Sequence, residues 1–200
     1  MIIGCRFAWY STPSILKVAG KYNDILSFNS YPEINMNEAV LPPFYHDLYN
    51  SQYNNSKRPM MITEWSFPAM DSGLPNKKGS GFRVDTQKQR ALCYSIYANK
   101  LASLPFVVGC HFFMWLDAPT SGGDDGCNYG LVNVKGEPYT LLTQTASKVN
   151  SGLLSRHMTS KDSGILNLKI SGDTVTISNS DEIASAGKIW RQVNGVWKSN

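Results

Sequence analysis

The feature that most constrains this chain is a repeated alternation between short apolar runs and segments of helical periodicity. "IIGCRFAW" (Ile2 to Trp9) reads as a strand. "SILKVAGKY" (Ser14 to Tyr22) places Ile15, Val18 and Ala19 at helical spacing behind Thr12-Pro13. "DILSFNSY" (Asp24 to Tyr31) is a second strand, ended by Pro32. A helix about Pro43 to Tyr53 follows, with Phe44, Tyr45 and Leu48 expected inward. "MMITEW" (Met60 to Trp65) is a third strand. Thr86 and Gln89 have capping-box spacing at the head of a helix to Ser103, whose expected buried stripe is Leu92, Ile96, Leu101 and Leu104. "FVVGCHFFMW" (Phe106 to Trp115) is near-continuously apolar, as parallel strands covered on both faces are. A last helix about Tyr139 to Leu154 carries Leu142, Ala146, Val149 and Leu153 on one side. Strands alternating with helices imply an α/β fold of parallel units joined by right-handed crossovers.

After Ser160 to Gly164 the period changes to two. Hairpins are expected about Ser171-Gly172-Asp173 and Asn194-Gly195, so the domain reading is residues 1–158 for the α/β part and 159–200 for a small antiparallel β appendage. Two long loops, Ser66 to Asp85 and Leu116 to Asn128, exceed ordinary connections and are expected to be functional or mobile.

Composition narrows the function classes. A net charge of +4, with basic residues clustered no further than pairs such as Lys77-Lys78, argues against nucleic acid. No run approaches the roughly 20 apolar residues of a membrane span. Cys5, Cys93, Cys110 and Cys127 lack C-x-x-C spacing, which argues against zinc and predicts free thiols; no metal and no cofactor are expected. "MIIGCRFAWY" lacks the basic lead and long apolar core of a secretory leader, so the compartment stays open.

Functional side chains in parallel sheets gather at the carboxyl ends of the strands. There the chain offers Trp9-Tyr10, then Asn29-Ser30-Tyr31, then Glu64-Trp65, then Trp115-Leu116-Asp117. Glu64 stands out because a carboxylate ending an apolar strand is costly as structure and useful as chemistry. It can be a strand-end ion pair, but the convergence of Asn29, Tyr31 and Trp rings on one rim favours a site. His111 falls on the same strand face as Trp115 by period two, where it lines the cleft or sits as a satisfied core histidine. Asp117 rims the cleft or caps the following loop. His46 and His157 are read as surface residues, Lys57-Arg58 as a solvated turn, and Asp124-Asp125 as a solvated loop without calcium-ligand spacing.

"LSFNSYPE", "MMITEWSF" and "VGCHFFMWLD…NYGLVNVKGEPY" resemble, in that order, the sixth, seventh and eighth strands of the retaining glycoside hydrolases built on a (β/α)8 TIM barrel, with "GCRFAWY" as the fifth. The flavour is nearest the β-galactosidase and β-agarase branch, over about Ile2 to Val149. The resemblance implies the last four βα units of a barrel acting on a β-linked oligosaccharide or polysaccharide. It implies Glu64 as nucleophile, Tyr31 as its hydrogen-bond donor and Trp115 as a sugar platform, with Asn29, Trp65 and His111 as further substrate-binding candidates. Such an enzyme needs a second carboxyl group about 5–5.5 Å from the nucleophile. In that clan it follows an Asn on the fourth strand, which this chain is expected to lack; Glu38 and Glu33 are poor substitutes, lying in a loop past Tyr31. The chain therefore reads as a carboxyl-terminal half-barrel, catalytic or a silent sugar-binding piece, completed by an upstream half or by a homodimer across its open edges.

Overall fold

The computed structural model describes the backbone of residues 1–121, 126–163, 166–171, 174–179, 182–185, 188–193 and 196–199, and side chains as far as residue 159. Four parallel strands, β1 (Ile3–Phe7), β2 (Ile25–Asn29), β3 (Met60–Trp65) and β4 (Val107–Phe112), form one sheet in the order β1-β2-β3-β4. Helices α1 (Pro13–Tyr22), α2 (Pro43–Ser56) and α3 (Gln87–Ala102) connect them, and α4 (Thr140–Ser163) follows. Strands that step always in one direction, each by a right-handed crossover, put the connecting helices on one face of the sheet.

That face is the core. Leu26, Phe28, Met60, Ile62 and Trp65 are essentially inaccessible. Trp65 sits in an aromatic nest with Phe67, Tyr94, Tyr97 and Phe112, at ring separations of 5.0 to 6.0 Å. Helix α3 is buried almost all round from Arg90 to Asn99, which its mixed sequence does not advertise. Its capping box forms as expected: Gln89 N donates to Thr86 Oγ1 and Thr86 N to Gln89 Oε1.

Two expected helix faces differ. In α1 the buried residues are Leu16, Ala19 and Gly20, while Ile15 and Val18 are exposed. The cause is the approach of α2: a Cβ on Gly20 would lie 2.1 Å from the Ser56 carbonyl oxygen, so the face with the smallest side chains must turn inward. In α2, Phe44 is exposed and lies edge-on to Tyr45, which takes the inward place with Leu48 and Tyr49. His46, expected at the surface, is buried, and burial with nearby Lys100 pushes its pKa down to about 3. The imidazole is therefore neutral, and its 3.6 Å approach to exposed Asp47 is not an ion pair at ordinary pH.

Helix α4 extends well past the expected Leu154. Beyond it, β5 (Leu166–Ser171) pairs antiparallel with β6 (Thr174–Asn179), and β7 (Glu182–Ser185), β8 (Lys188–Val193) and β9 (Val196–Ser199) form a second antiparallel set. The expected turn residues Gly172, Asp173, Asn194 and Gly195 lie outside the described residues, as do Asp124 and Asp125. Cys5, Cys93, Cys110 and Cys127 are free thiols.

Candidate active site

Regular alternation would keep Glu64 off the rim. Met60 and Ile62 point to the helices, so an unbroken strand would send Glu64 the same way and turn Trp65 to the opposite face. The ladder shifts instead. Phe28 pairs with Ile62, but Asn29 pairs with Glu64, so Thr63 is an extra residue. This one-residue irregularity turns Glu64 onto the face it shares with Asn29 and returns Trp65 to the helices. A second irregularity lies in β1. Gly4 pairs with Leu26 and Arg6 with Ser27, and Cys5 between them takes φ of 51°. Arg6 thereby shares a face with Ser27 and, two residues on, with Asn29.

The result is a carboxylate held from β1, from β2 and from the segment that follows β2. Tyr31 OH donates to Glu64 Oε1 at 2.5 Å, Asn29 Nδ2 to Oε2 at 2.8 Å, and Arg6 Nη2 to Oε2 at 2.8 Å. The Glu64 side chain is 14% accessible and that of Arg6 62%, so the carboxylate is open to a small reactant from the rim side. Beneath it, Ser30 N donates to the Glu64 carbonyl oxygen at 2.9 Å. Ser30 Oγ, Tyr49 OH and Tyr97 OH form a buried hydroxyl chain with steps of 2.6 Å, tying the end of β2 to α2 and α3. Burial pushes both phenols well above their ordinary range, so both stay neutral donors.

The other anticipated residues divide. His111 lies between Cys110, paired with Ile62, and Phe112, paired with Trp65. It therefore faces the same side as Glu64 and is exposed there. Trp115, three residues past β4, is 71% accessible, and its carbonyl accepts from Val132 N. Trp65 does not belong to the binding surface: it is 1% accessible and fills the helix-side core, because the irregularity at Thr63 reverses its direction. Asp117 caps its loop rather than rimming a cleft. Buried, it accepts from Gly130 N, Asn128 Nδ2 and Tyr139 OH at 2.7, 3.0 and 2.6 Å. Arg6 was missed by the sequence reading, although a lone Arg inside "IIGCRFAW" was a usable signal.

The long loops are built structures. Asn76 ties the first loop to the second, its N donating to the Gly126 carbonyl at 2.9 Å and its Oδ1 accepting from Asn128 N at 2.7 Å. Arg90 is fully buried and donates to the Phe67 and Gly130 carbonyls at 2.8 and 2.9 Å, one on the first loop and one just past the second. Burial lowers its pKa to about 10, which still leaves it charged at neutral pH. Gly81, at φ of 113°, lets the first loop pass the Tyr31 ring: a Cβ there would lie 3.3 Å from it. Tyr31 also packs against Ala118 and Cys127 of the second loop and Tyr129 just past it. Both loops thus support the ring that holds Glu64. Among the described residues no group of three His, Cys, Asp or Glu could hold a metal ion, and no helix is long and apolar enough to cross a membrane.

The chain is similar to beta-agarases. It is 36% identical to Beta-agarase B of Vibrio sp. (strain JT0107) over 159 residues, which is 75% of this chain and 15% of that protein. It is 29% identical to Beta-agarase A of the same organism over 97% of this chain and 18% of that protein. The chain thus spans under a fifth of the length of these relatives. Among solved structures, an exo-beta-agarase superposes with a TM-score of 0.64 at 28% identity, covering 78% of this chain and 20% of the other. The agarase AgWH50C gives 0.63 at 28% identity, over 78% of this chain and 23% of the other. No protein-family model matches the chain.

Proposed function

We propose that this chain carries the nucleophile half of a retaining glycoside hydrolase acting on a β-linked polysaccharide of the kind beta-agarases cleave. The observation that carries the reading is the single carboxylate at the carboxyl end of β3, gripped by Tyr31, Asn29 and Arg6 on an otherwise apolar strand. Three donors fix its plane. Oε2 accepts two of these bonds and Oε1 only one, so Oε1 retains a lone pair for the anomeric carbon. In the first step the Glu64 Oε1–C1 bond forms as the bond from C1 to the leaving oxygen breaks. Water later hydrolyses the glycosyl ester and restores the carboxylate. Trp115 offers an exposed ring for the apolar face of a sugar, and His111 a polar contact on the same side as Glu64.

The one-directional order β1 to β4 supports a portion of a (β/α)8 barrel, residues 1–158, with 159–200 as its β appendage. The exposed Ile2 and Ile3 at one edge and Val108 at the other suit closure by further βα units or by a second copy. A silent sugar-binding role is the second reading. It is favoured by the placement of Glu33 and Glu38, both exposed, with backbone amides held by Tyr45 OH and Asn35 Oδ1 in the β2–α2 connection.

The test is a panel of 2,4-dinitrophenyl β-glycosides, whose phenolate leaves with the bonding pair and needs no proton. Release by the native chain and its abolition in Glu64→Gln, with an unchanged melt, is the expected result. Equal release by Glu64→Gln removes Glu64 from the mechanism.

A further inference from the structure

The irregularity at Cys5 does more than serve the packing of the core. Strand β1 is mostly exposed, and a non-glycine residue at positive φ is held there at a conformational cost. What it achieves is geometric. Without an extra residue, Arg6 would align with Phe28, whose side chain faces the helices and is 1% accessible. With it, Arg6 aligns with Ser27 and reaches the carboxylate. Phe7 then aligns with Phe28 and stacks on it, ring centroids 5.2 Å apart, so the shift also keeps an apolar side chain on the core side.

Arg6 and Asn29 meet the same oxygen, Oε2. Asn29 is neutral and buried; Arg6 brings a full charge from the more accessible side. A carboxylate with one oxygen doubly held and the other singly held cannot rotate about its terminal bond without losing charge-assisted contacts. We propose that Arg6 is a positioning residue for Glu64, delivered by the one-residue irregularity at Cys5, and that it acts by pinning Oε2 so that Oε1 is presented to the anomeric carbon. This rests on the reading of Glu64 as nucleophile. The contact is accessible to solvent, which limits its strength. The expected effect is therefore at the low end for a charge-assisted hydrogen bond, about tenfold in rate.

The experiment follows dinitrophenolate release from the panel member that the native chain turns over fastest, at saturating and limiting glycoside. Arg6→Met should lower the saturated rate about tenfold while leaving KM within about twofold. Arg6→Lys should recover part of the loss, and millimolar guanidinium chloride should raise the rate of Arg6→Ala where potassium chloride at equal ionic strength does not. Cys5→Gly, compatible with φ of 51°, should keep the native rate. Cys5→Val, a β-branched residue poorly suited to that φ, should fall with Arg6→Met. Thermal melts of all five variants show whether each is folded; with the fold retained, an Arg6→Met rate within twofold of native overturns the proposal, as does a full rate in Cys5→Val. If the native chain releases nothing from any member while remaining folded, the nucleophile reading fails and this inference with it. Native release with an indifferent Arg6→Met defeats the inference alone.

Discussion

The two faces of the sheet are built on opposite rules. The helix side of these strands is apolar: Leu26, Phe28, Met60, Ile62 and Trp65 fit under α2 and α3 by close packing of large side chains. The other face carries Arg6, Asn29 and Glu64, joined by directional bonds whose register depends on one extra residue in β1 and one in β3. The helix side supplies stability through area buried. The opposite face holds a partly buried, triply bonded carboxylate that contributes little to stability and is suited to chemistry. The two irregularities let the same strands satisfy both demands, keeping Trp65 and Phe7 on the packed side while turning Glu64 and Arg6 to the other.

Substitutions on the packed side should show this contrast most strongly. Trp65→Ala removes the centre of the aromatic nest and should cost about 3–5 kcal/mol of stability, read from denaturant midpoints. Such a loss, small in Glu64→Gln and large in Trp65→Ala, is what the division between the faces requires. Arg90→Met should come next. It strips the Phe67 and Gly130 carbonyls of their donor in a buried site, at about 1–3 kcal/mol for each group left unsatisfied. It should also loosen both loops together in hydrogen exchange, not one alone.

Tyr31→Phe probes the other face. Losing a hydrogen bond to a charged acceptor should cost about 1.5–3 kcal/mol in transition-state stabilisation, or ten- to hundredfold in rate, with a melt close to native. A large fall in melting temperature without a rate effect would move Tyr31 from the site to the loop packing. The smallest effect is at Trp115, whose exposed ring should weaken sugar binding by about 1 kcal/mol when replaced by Ala. Isothermal titration with an agar oligosaccharide checks this.

A pH experiment sharpens the same contrast from the packed side. His46 has a folded-state pKa lowered from 6.5 to about 3 by burial first and Lys100 second. The unfolded chain therefore binds a proton that the folded chain refuses. The associated stability is complete above about pH 6.5 and is lost as pH falls toward 3, at up to about 1.4 kcal/mol per pH unit. His46→Gln should flatten the acid side of the stability curve in that window.

The four parallel units, the capping box at Thr86 and the convergence of Asn29, Tyr31 and Glu64 were legible in the sequence, because apolar runs, turn residues and strand-end polar groups write them directly. Arg6 was not, and Trp65 was assigned to the wrong face, for one shared reason: period-two reading assumes an unbroken ladder, and a single extra residue reverses every side chain beyond it. The inward face of α1 was misjudged because the most apolar stripe, Ile15 and Val18, gave way to the smallest, where Ser56 of α2 approaches Gly20. The cross-linking of the long loops by Asn76, Asn128 and Arg90 joins residues far apart in sequence, and no local pattern announces it.

The central claim is that Glu64, turned to the rim by the irregularity at Thr63, is the atom-bearing nucleophile. The most direct measurement is peptide mass mapping after incubation with 2,4-dinitrophenyl 2-deoxy-2-fluoro-β-glycosides, in which the fluorine slows hydrolysis of the glycosyl ester. The account predicts one added fluoroglycosyl group, on the peptide bearing Glu64 and on that side chain. A label on Glu33, Glu38 or any other carboxylate, with Glu64 unmodified, would contradict it.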